Sequence, residues 1–205
     1  MRIAEPTTLI TDYVLAALDA ALGARLFARS EGQVSVRLWA SGFLANAAGA
    51  LLGGTFHGFG PYLGSGIDHI LWKGTLVTIG LSAFFALSGT VVATLRPPWR
   101  HVLLAAAGAE LALFLAWMTT HDDFRFVVYD FVLSFIVVAV LQLARRREPG
   151  AGSAAAGVVV SLAGAAVQRS GFKLHESFNH NDLFHVVSMA AAWLLYRGAR
   201  TMRDR

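Results

Sequence analysis

The chain has 205 residues, is 56% hydrophobic and only 15% charged, and carries a net charge of +4. Soluble domains hold roughly 25% charged residues, so this chain has too few charges to cover a water-facing surface, and a separate soluble domain is excluded. The positive charges stand beside apolar blocks, a topology signal and not a nucleic-acid footprint, and the lack of cysteine excludes disulfides and thiolate metal sites.

Seven apolar blocks follow in order, at residues 8–27, 38–57, 70–95, 101–119, 124–143, 154–168 and 183–199. Each approaches the roughly 20 residues needed to cross a bilayer core. The first contains Asp12 and Asp19, which the core of a cleavable signal peptide would avoid, so it reads as a span. These carboxylates lie seven residues apart and share a helix face. The second block holds Asn46 and ends at His57; Asp68 and His69 open the third. Lys73 is expected to pair with Asp68 or to snorkel outward. Arg96-Pro97-Pro98-Trp99 separates the third block from the fourth. Glu110 lies near the middle of the fourth and Asp130 in the fifth, and residues 145–152 form a second break. The sixth block is short and rich in Ala, Gly and Val. Small residues let helix backbones approach closely, so it is expected to pack inside the bundle, although Gly157 and Gly164 do not form GxxxG. Trp39, Trp72, Trp99 and Tyr62 are expected in the interfacial belts. For Asn46 and Asp19 the expectation is interhelical hydrogen bonding, worth about 0.6 kcal/mol on average.

With the N-terminus outside, twelve Lys and Arg fall in inner segments and five in outer ones: Arg2, Lys73, Arg125, Arg169 and Lys173. The reading is therefore all-α: a polytopic seven-transmembrane helix bundle, N-out and C-in, forming one domain over residues 1–205. The expected setting is a bacterial plasma membrane.

On this topology six of the seven histidines fall at the outer face: His57, His69, His121, His175, His180 and His185. Asp12, Asp68, Asp122, Asp123, Asp130, Glu176 and Asp182 join them. Ionisable groups inside the hydrocarbon layer are costly, so they turn to the bundle interior and find partners, which implies a polar cavity opening outward. Neutral imidazole is the commonest metal ligand, and three protein ligands plus a water make a catalytic zinc site. Asp182 could instead cap the seventh helix. Singly, His69, His121 and His175 read as interfacial or loop residues.

The arrangement resembles the CREST superfamily of seven-helix membrane proteins, which includes alkaline ceramidases and adiponectin-receptor-like proteins. That family has S-x3-H at the end of helix two, an Asp about eleven residues on, and H-x3-H in helix seven. Here Gly53-Gly54-Thr55-Phe56-His57 stands at the first motif, Asp68 follows His57 by eleven residues, and Asn181-Asp182-Leu183-Phe184-His185 opens helix seven. The resemblance implies that His57 and His185 bind zinc and that Asp68 holds the zinc-bound water as general base. It further implies hydrolysis of a lipid amide or ester, as in ceramide, at the outer face. Two positions depart: Gly53 replaces the Ser, and Asn181 replaces the first His. The third ligand stays open among His180, Asp182 and His121, with Lys73 and Asp12 as polar support. The stretch from Phe178 to His185 is similar to that of uncharacterised bacterial relatives of this superfamily. Membrane lipid is the expected partner, with a membrane-protein subunit or a second copy of the chain as a further one. The competing readings are a non-enzymatic receptor or accessory subunit, and a haem-binding redox protein ligated by two histidines.

Overall fold

A computed structural model describes residues 3–205 and contains seven α-helices among them. They are α1 (Pro6–Ala28), α2 (Val34–Phe59), α3 (Ser65–Thr94), α4 (Trp99–Met118), α5 (Phe124–Ala144), α6 (Ala151–Ser170) and α7 (His180–Ala199). Arg2, counted above among the outer basic residues, lies outside the described residues. The breaks fall where expected: α3 stops before the Pro97-Pro98 pair, and α5 and α6 are separated by residues 145–150. The helices outrun the apolar blocks at their polar first turns. Helix α3 begins at Ser65, and α7 begins at His180, taking in Asn181 and Asp182. An apolar run marks what lipid or core requires, whereas the polar first turn of α7 is helical because Asn179 caps its N–H groups; α3 follows Gly64 without a side-chain cap.

Four helices, α3, α4, α5 and α6, are long and apolar enough to cross a membrane. The other three fall short in apolarity because they carry Asp12 and Asp19, Asn46 and His57, and His180 to His185. Of these, Asp12, Asp19, Asn46, His57, His180, Asn181 and His185 face a cavity inside the bundle.

Neighbours in sequence pack as α1–α2, α2–α3, α3–α4, α5–α6 and α6–α7, while α3 also packs on α5 and α1 on α7. Six helices thus close into a ring, and α4 stands outside it against α3. Close approach is set by small residues. A Cβ on Gly54 would come within 2.8 Å of Asp12 Cβ and Tyr13 Cδ1, so that glycine lets α1 lie against α2. Gly58, one turn on, meets Leu9 of α1 in the same way.

Helix α6 does not sit in the middle of the bundle as its composition suggested. About 39% of its apolar window is buried, against 61% for α3. Its small residues form one stripe, Ala154, Gly157, Ser161 and Gly164, that meets α7, and the opposite face is open.

The main core joins Leu22 and Leu26 of α1, Trp39 and Phe43 of α2, Val91 of α3, Phe135 of α5 and Leu195 and Tyr196 of α7. These positions lie in the half of the bundle where the arginines gather. Trp39 is therefore no belt residue: it is 2% exposed, and its Nε1 donates to Thr90 Oγ1 at 3.3 Å. Trp99 and Tyr62 are exposed, as a belt requires. The segment after α7 binds this same end. Asp204 accepts from the backbone N–H groups of Val34 and Ser35 at 2.7 and 2.9 Å, capping α2 from far along the chain. Arg205 pairs with Glu148 at 2.7 Å, and Arg203 with Glu31 at 2.9 Å.

Candidate functional site

Inside the ring lies a cavity of about 280 Å³. Its polar end is formed by Asp12, His57, His180, Asn181 and His185, and its deep end by Trp39, Phe43, Phe135 and Leu195. Asp19 and Asn46 line the stretch between, joined by a hydrogen bond from Asn46 Nδ2 to Asp19 Oδ2 at 2.5 Å. That is the interhelical bond expected of them.

Helix α7 is fixed by a capping box. Asn179 Oδ1 accepts from the Asn181 and Asp182 N–H groups at 2.7 and 3.4 Å, and Asp182 Oδ2 accepts from the Asn179 N–H at 2.7 Å. This reciprocal pairing satisfies orphan donors of the first turn. It also sets the register that turns His185 toward α1. There His185 is 7% exposed and Asp12 is 4% exposed, with 3.2 Å between Nε2 and Oδ1. Thr11 Oγ1 lies 2.9 Å from the other ring nitrogen, Nδ1. The Thr11 hydroxyl has one proton. Donated to the Thr8 carbonyl, 3.1 Å away, it leaves Nδ1–H as donor to Thr11 and a bare Nε2 lone pair toward Asp12. Donated to Nδ1, it leaves Nε2–H facing the carboxylate. The pair thus has a site for one mobile proton.

His57 is half-buried, with Nδ1 3.4 Å from Glu5 Oε1. It stands beside Phe56 and Trp72, and Trp72 donates Nε1–H to the Asp122 carbonyl at 2.7 Å. Trp72 thus lines the cavity and does not serve as a plain belt residue. Four buried polar atoms at or beside this polar end lack a hydrogen-bond partner: Asp12 Oδ2, His57 Nδ1, His180 Nδ1 and Asp182 Oδ1. Such groups are costly to leave unmatched and mark a place prepared for a ligand or water.

The structure therefore brings His57, His180, Asn181, His185 and Asp12 to one cavity and leaves other candidates elsewhere. Asp68 is half-exposed in the first turn of α3, accepts from the His69 N–H at 2.7 Å, and does not line the cavity. The η-turn Gly60–Tyr62 and the bend after it use up the spacing from His57, so the carboxylate arrives at a helix end. His121 stacks on Trp117, centroids 3.9 Å apart, with Nδ1 2.9 Å from the Trp117 carbonyl oxygen. Lys73 pairs with Asp122, not Asp68, and donates to the His121 carbonyl at 2.8 Å. Asp182 is taken up largely by capping. His175 bonds locally to Ser177, and Asp130 is buried beside Glu110, away from the cavity.

Glu5 and Thr11 were not read as site residues. Glu5 precedes Asp12 as Asp12 precedes Asp19, by seven residues, and this repeat on α1 was the available signal.

Among the described residues no three or more His, Asp or Glu side chains come together as a metal-holding group. Asp12 Oδ1 and His185 Nε2 stand at a spacing two zinc ligands could share, but His185 Nδ1 is on Thr11 and His57 faces Glu5. As placed, two donors converge and not three, so these residues do not fit the three-ligand zinc site.

These features define a class: an all-helical bundle, four of its helices long and apolar enough to cross a membrane, around a cavity that is polar at one end and apolar at the other. Within that class, the chain belongs to the DUF6962 family, a family of unknown function, whose profile matches residues 7–204. No curated protein and no solved structure matches the chain.

Proposed function

We propose that this protein is a seven-span membrane hydrolase, N-out and C-in, that cleaves an ester or amide bond of a membrane lipid at the outer face. The observation that carries the reading is the two-ended cavity: histidines and carboxylates at one end, aromatic and aliphatic walls at the other. That distribution suits an amphipathic ligand whose scissile bond lies near the head and whose chain runs toward Trp39 and Phe135. Small-molecule sites are built in this way, mostly apolar with a few convergent polar groups. Helices α1, α2 and α7 have 23, 26 and 20 residues. At 1.5 Å per residue each reaches about 30 Å or more, the thickness of the hydrocarbon core.

In this reading Asp12 Oδ2, which has no hydrogen-bond partner, takes a proton from water as the water oxygen attacks the lipid carbonyl carbon. His185, with Thr11 donating to its Nδ1, keeps Nε2–H on Asp12 Oδ1 and holds the carboxylate in place. The proton then passes to the departing oxygen or nitrogen as the bond to carbon breaks. Positioned acid–base catalysis of this kind contributes about 10²–10⁴-fold.

The test is hydrolysis of a panel of lipid esters and amides by purified protein, with metal analysis of the same sample. Wild-type protein is expected to turn over at least one lipid. His185→Ala and Asp12→Asn should lose about 10²-fold or more, and Gly108→Ala, on α4 outside the ring, should not. Equal turnover in His185→Ala overturns the reading. One equivalent of zinc that disappears in both His57→Ala and His185→Ala would replace the acid–base pair with a metal site. A second reading, a lipid receptor or accessory subunit, is favoured by Gly53 in place of a serine and by Asp68 lying outside the cavity. Its mark is a co-purifying lipid with no turnover.

A further inference from the structure

At the opposite end of the bundle, where α5 ends, lies an open pocket of about 500 Å³ lined by Arg145, Arg146, Arg147, Glu148 and Arg205, with Leu143 and Ala144 at its edge. Four arginines and one carboxylate line it, and that carboxylate is already engaged by Arg205 at 2.7 Å. Arg146 and Arg147 are exposed, as basic residues at a membrane surface usually are. Arg145 is different: it is 5% exposed, and its Nε is buried with no hydrogen-bond partner. Burial pushes its guanidinium below the ordinary arginine value; Glu148 opposes that, and the Arg205 charge adds to it. A buried guanidinium N–H without an acceptor is costly unless one meets it. Leu143, at the pocket edge, is 62% exposed, so an apolar surface adjoins the charged one.

We propose that this pocket binds a phosphate group, with Arg145 as its buried anchor and Arg147 and Arg205 at its rim. Guanidinium matches phosphate oxygens through paired N–H donors. Basic pockets among helix ends at the inner face are suited to anionic headgroups. The apolar edge at Leu143 points to the phosphate of an anionic lipid over a free phosphate ion. This site is independent of the hydrolytic reading and lies at the other end of the molecule.

The experiment titrates phosphatidylglycerol, phosphatidylcholine or inorganic phosphate into the full chain in uncharged detergent. Lipid retention is read by native mass spectrometry and protection by thermal unfolding. Phosphatidylglycerol should bind at least tenfold more tightly than phosphatidylcholine. Arg145→Gln should weaken it tenfold or more, and Arg145→Lys less. Arg25→Gln, at the exposed end of α1, should leave it unchanged. Arg147→Gln serves if Arg145→Gln does not fold, with a loss of about threefold expected. Protection by phosphatidylglycerol alone assigns the lipid source, and protection by millimolar phosphate assigns the free ion. Equal binding of the two lipids without protection by phosphate, or equal weakening by Arg25→Gln and Arg145→Gln, overturns the proposal.

Discussion

Replacing Gly198 by alanine tests the packing of α6 on α7. A Cβ built there would stand 2.5 Å from Ala154 Cβ and 2.9 Å from Ala154 Cα and N. Carbon atoms in good contact lie about 3.5–4.0 Å apart, so the helices would have to separate by roughly 1 Å. No side-chain rotation relieves this, because two of the three opposing atoms are backbone. Separation would also loosen Leu195 over Gly157, where the gap for a Cβ is only 2.7 Å. Overpacking of this kind destabilises by about 1–3 kcal/mol. Alanine's better helix propensity, about 1 kcal/mol in water, offsets part of it. A net loss of about 1–2 kcal/mol is expected, read as a lower midpoint in reversible denaturation from detergent micelles. Gly108→Ala is the control, since nothing lies within 4 Å of its Cβ position, and it should be neutral or stabilising. Adding Ala154→Gly to Gly198→Ala should recover part of the loss, because it removes the nearest atom and leaves the backbone contacts. If Gly198→Ala is as stable as Gly108→Ala, the close approach of α6 and α7 is wrong.

Asn46→Leu should cost about 1–3 kcal/mol, because it strips the donor from a buried carboxylate; Asp19 is 1% exposed. The double change Asp19→Leu with Asn46→Leu should recover most of that in the same denaturation assay. Asp204→Ala should cost about 0.5–1 kcal/mol, the low end for a lost cap, since the residue is exposed. Burial works to raise the Asp204 carboxyl, but its bonds from Ser35 and Val34 and the Arg100 charge outweigh it and hold the group below its ordinary value. A lowered carboxylate contributes stability above its unfolded-chain value and loses it as pH falls through the folded value. Wild type and Asp204→Ala should therefore differ above about pH 4 and converge below it. Lys73→Met removes the partner of Asp122 and a donor to the His121 carbonyl. It should speed proteolysis within residues 119–123 while leaving the Asp204-dependent acid transition unchanged.

Composition alone determined that the chain is a helical bundle and where it breaks, because apolar runs, arginines and the Pro97-Pro98 pair impose those limits locally. It also marked His57, His185 and Asp12 as polar groups needing an interior. It did not decide which of them meet. Asp68 matched a family spacing and still arrived at an exposed helix end, since a fixed number of intervening residues can form a turn as well as a helix. Trp39 looked interfacial and became core, because its depth depends on which helix covers it. Asp12 against His185 arises between helices far apart in the chain, and Arg205, from the segment after α7, joins Arg145 at the end of α5. Such contacts follow from how the ring closes, through close approaches such as Gly54 on α1 and Gly198 on α6, and a local reading of the sequence holds no record of that closure.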